Sequence, residues 1–161
     1  MISAGKPVLV PIDGRQSEVA LSVARGTARL LHAHGFSVVS ELSLPSGRRA
    51  DLVALDSGGT IWIVEIKSSV ADFRADQKWQ DYRAHCDRLF FATSHDVPCE
   101  IFPPDTGLIV ADHFGAEFHC EAPEHRLPAA TRKAMLLLFA RAAAMRLQSL
   151  IDPNGPYEAM D

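Results

Sequence analysis

The sequence predicts an α/β fold, a mixed sheet flanked by helices, and three observations carry that prediction. Residues 17–33 place apolar side chains at helical spacing. Three β-prone runs between Phe36 and Lys67 are joined by turns short enough to force antiparallel pairing. A helical stretch then leads into Arg88–Thr93, an almost wholly apolar run of the kind found at a sheet centre.

In the first helix, Val19, Ala20, Val23, Thr27, Leu30 and Leu31 share one face, and Gly35 stops the helix. Three extended segments follow: Phe36–Leu44, Arg49–Leu55 and Thr60–Lys67. The turns between them are Pro45-Ser46-Gly47-Arg48 and Asp56-Ser57-Gly58-Gly59. Phe73–Cys86 reads as a helix capped by Asp72, with Phe73, Trp79, Tyr82 and Cys86 facing inward. A strand, a helix and a strand in that order imply a right-handed crossover to a parallel neighbour. Gly107–Asp112 and Ala116–Cys120 form a terminal hairpin, and a long Ala/Leu/Arg helix runs from Pro128 to about Ile151.

The bulk properties set limits on function. The 161 residues fit a single domain, with a core over about 17–94 and a C-terminal extension over about 107–151. No apolar run approaches the ~20 residues of a membrane span, and the N-terminus lacks the apolar stretch of a secretory signal. A cytoplasmic protein with no membrane partner is expected. Three cysteines without C-x-x-C spacing argue against a disulfide framework and, beside His85 and His119, only faintly for zinc. A net charge of −4 gives no global basic field for nucleic acid, so any such binding must use a local patch.

The chemistry concentrates on the second and third strands. If Ser57-Gly58-Gly59 is a three-residue loop with Gly59 at positive φ, Leu55 faces Ile61, Val53 faces Ile63 and Asp51 faces Glu65. Opposed residues have Cβ atoms roughly 4.5–5.5 Å apart. Two carboxylates that close repel, and a divalent cation between them turns repulsion into binding. Lys67, two residues past Glu65, projects from the same face and in this register lies opposite Arg49. Two acids, a hard metal and a lysine suit phosphodiester hydrolysis. A turn one residue different would send Asp51 to the other face.

Glu41 is a candidate third acid, since position 41 or 42 pairs with Asp51 across the Pro45 turn; a surface role is equally open to it. Glu18 reads as a solvated acid at a helix start. Arg48 and Arg49 stand at the lip of the site and could contact phosphates. Trp79 and Tyr82 could stack on a base, although their helical spacing favours packing. Arg132, Lys133, Arg141 and Arg146 form either a basic stripe or the wet side of a packing helix. The histidines and Ser68–Ser69 match no catalytic pattern, and no Gly-rich phosphate loop is present.

Asp51 followed by Glu65-Ile66-Lys67 resembles the signature of the PD-(D/E)xK nuclease superfamily, with Ala50 where the name-giving pattern has Pro. The order of elements matches that superfamily's restriction-endonuclease-like α-β-β-β-α-β core. The resemblance implies magnesium, or manganese, held by Asp51, Glu65 and the Ile66 carbonyl, with Lys67 assisting attack. RecB-like members carry Gln-x-x-x-Tyr on the next helix; here Lys78 and Tyr82 stand at those positions, which implies DNA contact with Lys in place of Gln. Over nearly the whole chain, the runs 47–55, 64–69, 72–79, 107–112 and 139–147 look like the MmcB family of bacterial DNA repair proteins. The function implied is a metal-dependent nuclease acting on damaged, branched or single-stranded DNA. The alternatives are a nuclease-fold protein that binds DNA or repair partners without cutting, and a metal-dependent hydrolase with another substrate. A small domain of this kind could also act as a homodimer.

Overall fold

The computed structural model describes residues 17–156. Six strands form one sheet in sequence order: β1 (Ser37–Ser43), β2 (Arg49–Leu55), β3 (Ile61–Ile66), β4 (Arg88–Thr93), β5 (Gly107–Ala111) and β6 (Ala116–Cys120). The β1–β2, β2–β3 and β5–β6 pairs are antiparallel, whereas β3–β4 and β4–β5 are parallel. The sheet is therefore mixed, as expected.

Helix α1 (Glu18–Ala33) is capped by the Ser17 side chain, which accepts from Ala20 N–H, and it covers one face of the sheet. Val23 and Leu31 pack there with Leu52, Ala54, Val64, Phe90 and Ile109. Gly26 permits the close approach: a Cβ at that position would lie 2.1 Å from the Asp112 carbonyl oxygen. Val19, expected on the buried face, is exposed. Helix α3 (Ala129–Ile151) covers the other face, where Met135 and Phe139 join Val53, Ile61, Ile63, Tyr82 and Leu89.

The β2–β3 turn forms as the sequence requires. Gly59 has φ +88°, Asp56 and Thr60 close the loop through an N–H to carbonyl bond, and Asp56 Oδ1 accepts from Gly58 and Thr60 N–H. The resulting register pairs Leu55 with Ile61 and Val53 with Ile63. The helix expected over Phe73–Cys86 is instead broken. Helix α2 runs Val70–Ala75 under a Ser69 cap, and a separate 3-10 segment runs Trp79–His85. Asp76 makes the break: its Oδ1 takes the Lys78 N–H, a local bond that competes with helix continuation.

By length and composition α3 is apolar enough to cross a membrane, contrary to the expectation from the sequence. In this fold it packs on the sheet, tied down by two arginines. Arg132 donates to Asp87 and to the Gly59 carbonyl, and Arg146 donates to the Ser40 and Glu41 carbonyls. Half of the supposed basic stripe thus works inward.

Candidate active site

Asp51 and Glu65 meet where the β2–β3 ladder ends. The last backbone rung joins Leu52 to Val64, and beyond it the side chains take over. Asp51 N–H donates to Glu65 Oε1 at 3.1 Å, and Ile66 N–H donates to Asp51 Oδ2 at 2.7 Å. Each carboxylate spends one oxygen on a backbone donor of the other's neighbourhood. The second oxygen of each has no hydrogen-bond partner among the described residues.

Burial is deep: Glu65 is 3% exposed and Lys67 6%. Burial is also the main reason that the Asp51 carboxyl is pushed up to about 6. Glu65 is held well above the usual carboxylate range, first by burial and then by the Asp51 charge. Two hard oxygen donors that resist ionising side by side are a donor set that a divalent cation satisfies. Magnesium needs only one or two protein carboxylates, because water and phosphate oxygens complete its shell. The residues present fit that ion. Among the described residues no group of three His, Cys, Asp or Glu side chains is close enough to form a full protein cage.

Lys67 does not face Arg49 along a ladder. Its backbone follows β4 instead, with its N–H donating to the Ala92 carbonyl and its own carbonyl accepting from Thr93 Oγ1. Lys67 Nζ lies 2.8 Å from Asp76 Oδ2. Burial alone would lower the Lys67 pKa; the Asp76 bond and nearby acids outweigh it and raise it, while Asp76 is lowered by the same bond. Asp76 is the site residue that sequence reasoning missed. Its signal was present, an acid four residues past Asp72 where a continuous helix was assumed. Asp72 itself accepts from Ser68 N–H and steadies the chain just after Lys67.

The β1–β2 register places Glu41 level with Asp51, resolving the ambiguity between 41 and 42. The pairing itself is skipped, because Glu41 sits at φ +52°, alone in positive φ among described non-glycine residues. Its carboxylate pairs with Arg49 at 3.3 Å. Arg146 from α3 donates to the Ser40 carbonyl and, at 2.9 Å, to the Glu41 carbonyl, supplying partners that the kinked strand cannot. Glu41 is thus beside the acid pair, not part of a ready-made cage.

A groove of about 740 Å³ opens onto these residues, with Ala20, Ala24, Arg25 and Ala28 of α1 on one wall and Arg48, Arg49 and Asp76 on the other. Arg48 is tied to Asp81 by a 2.9 Å bond. Of the two residues expected to contact DNA, Tyr82 lines this groove and Lys78 does not. Tyr82 is buried and donates its hydroxyl to the Arg49 carbonyl, with burial and then the Glu65 charge raising its pKa. Lys78 is exposed but outside the groove lining. Trp79 packs against Phe91.

Comparison with known proteins gives a family and a fold. The family described as DNA repair protein MmcB-like matches residues 8–154. A solved structure, a protein of unknown function from Silicibacter pomeroyi, is 45% identical, covers 89% of this chain and 99% of its own, and superposes with a TM-score of 0.84. No curated protein matches the chain.

Proposed function

The chain belongs to the MmcB-like family of DNA repair proteins, and from that premise we propose that it is a magnesium-dependent nuclease that hydrolyses phosphodiester bonds in DNA. The observation that carries the reading is the Asp51–Glu65 pair, two crowded carboxylates that burial holds above the usual range, an arrangement that costs stability when both are charged. Resemblance to PD-(D/E)xK nucleases gives the same two acids and Lys67 the same work. When bound, a divalent cation would supply positive charge between the carboxylates and polarise the scissile phosphate.

The chain's residues have separate duties. Asp51 and Glu65 would hold the cation between their carboxylates. Lys67, protonated and aimed by Asp76, stabilises charge developing on the phosphate oxygens. Arg25, Arg48 and Arg49 at the groove walls draw in the phosphate backbone against a net charge of −4. The ion pair with Asp76 also favours a second reading, a protein that binds DNA without cutting, because Lys67 is already engaged.

Labelled single-stranded, duplex and forked DNA, each with magnesium or manganese, separates the two. Cleavage should fall by about 100-fold or more in Asp51→Ala and Lys67→Ala. Wild type that binds DNA but leaves every substrate intact would establish the second reading instead.

A further inference from the structure

Helix α3 is apolar on two sides, yet the domain covers only one. Met135, Phe139 and the half-buried Leu136, Leu138, Ala142 and Ala143 face the sheet. On the opposite side Lys133, Leu137, Ala140, Ala144, Leu147 and Ile151 follow one another at alternating intervals of four and three residues. All six are exposed, Leu137 at 56%, Leu147 at 58% and Ile151 at 68%. A helix apolar all round is ordinarily buried all round, and this spacing is that of a seam meeting another helix.

The composition of the seam identifies the other helix. Its four central members, Leu137, Ala140, Ala144 and Leu147, read the same from either end about the level of Ala142, with Lys133 and Ile151 at the two ends. A two-fold axis requires a self-complementary surface. Two antiparallel copies crossing at Ala142 place Leu137 on Leu147, Ala140 on Ala144, and Lys133 over the end of the second copy's helix. That end carries the last carbonyls of α3 and the Asp152 carboxylate, so the lysine meets negative charge. Without an acidic residue anywhere in Ala129–Ile151, no other section of the helix offers this match. Two helices each about 35 Å long, meeting along their whole length, come near the ~1,200 Å² at which specific interfaces begin.

We infer that a second copy of this chain covers the outer face of α3, giving an antiparallel, two-fold symmetric dimer of micromolar affinity. Each Arg141 then lies beside its counterpart across the axis, a like-charge contact at the rim. The inference is independent of nuclease activity, since no residue of the seam touches the acid pair.

Sedimentation velocity of the full chain, from about 1 to 100 μM, is the test. Wild type should pass from monomer to dimer across that range. Leu147→Glu, at an exposed position harmless to the monomer fold, should weaken association by about 100-fold or more by burying an unpaired charge. Arg141→Ala should tighten it. In a Cys120→Ser background, an equimolar mixture of Ala140→Cys and Ala144→Cys chains should cross-link on oxidation. A wild type that stays monomeric at 100 μM overturns the inference, and so does a Leu147→Glu protein that dimerises like wild type. Dimers that fail to cross-link overturn the antiparallel pairing.

Discussion

At the level of single residues, Glu65 and Asp87 are buried acids and Asp51 a half-buried one, yet their surroundings drive them in opposite directions. Asp87 accepts from Ile61 N–H, Leu127 N–H and two nitrogens of Arg132. Burial alone would raise its pKa, but these donors more than offset it and hold it low. Asp51 and Glu65 have each other for company, and both are raised. The unfolded chain therefore releases the Asp51 and Glu65 protons at lower pH than the folded chain does. Metal-free protein should lose stability as pH climbs from about 4 to about 6, by about 2–3 kcal/mol for Asp51 alone. Thermal melts across that range should show the slope in wild type and its disappearance in Asp51→Asn. Magnesium at pH 7 should raise the melting temperature of wild type and leave that of Asp51→Asn unchanged.

At the level of elements, the β2–β3 hairpin was legible because its information is local. Gly58-Gly59 sets the loop, the loop sets the register, and the register sets Asp51 level with Glu65. The stretch after β3 was not legible for the opposite reason. Helical periodicity continues through Asp76, whose Oδ1 ends the helix by taking the Lys78 N–H while its Oδ2 takes Lys67, a partner that arrives only once the sheet is built. Lys78, expected to contact DNA, stands outside the groove lining, while Tyr82 lines it from within the 3-10 segment. Strand β1 had a similar hidden feature, since nothing in Ser40-Glu41-Leu42 announces positive φ. A left-handed conformation costs a side-chain-bearing residue about 1–2 kcal/mol. Glu41→Gly should therefore stabilise the protein by about 1 kcal/mol in urea titrations, even though it removes a carboxylate and its Arg49 partner. A loss of stability instead would mean that the Glu41–Arg49 pair outweighs the strain.

For the whole molecule, the Asp87–Arg132 pair is the junction between sheet and C-terminal helix. Asp87 joins the start of β3, the segment leading into α3 and, through Arg132, the Gly59 turn. Removing the acid leaves Arg132 half-buried without its charge partner and two buried N–H groups without an acceptor. Asp87→Ala should cost about 3–5 kcal/mol by chemical denaturation, far more than any substitution on the exposed seam of α3. If the variant loses less than about 1 kcal/mol, the junction is not where the two layers are held. The six-stranded order and both covering helices follow from short connections and apolar patterning, which is why they could be anticipated. The Arg132–Asp87 ion pair and the Arg146 bond to the Ser40 carbonyl that fasten them span 45 and 106 residues and could not.

That last span has a consequence for how the protein comes off the ribosome. The kink in β1 lies near the beginning of the chain, while the guanidinium that satisfies it lies near the end, on Arg146. Chains emerge N-terminus first, and their domains assemble in that order. Arg146 is therefore among the last groups to join the fold, and until it does the Ser40 and Glu41 carbonyls stay turned to water. The acidic groove is then finished last, by the final helix. Until that helix docks, the kinked strand around Glu41 lacks the donor that holds it, so this rim of the groove takes its final shape only when α3 packs on the sheet.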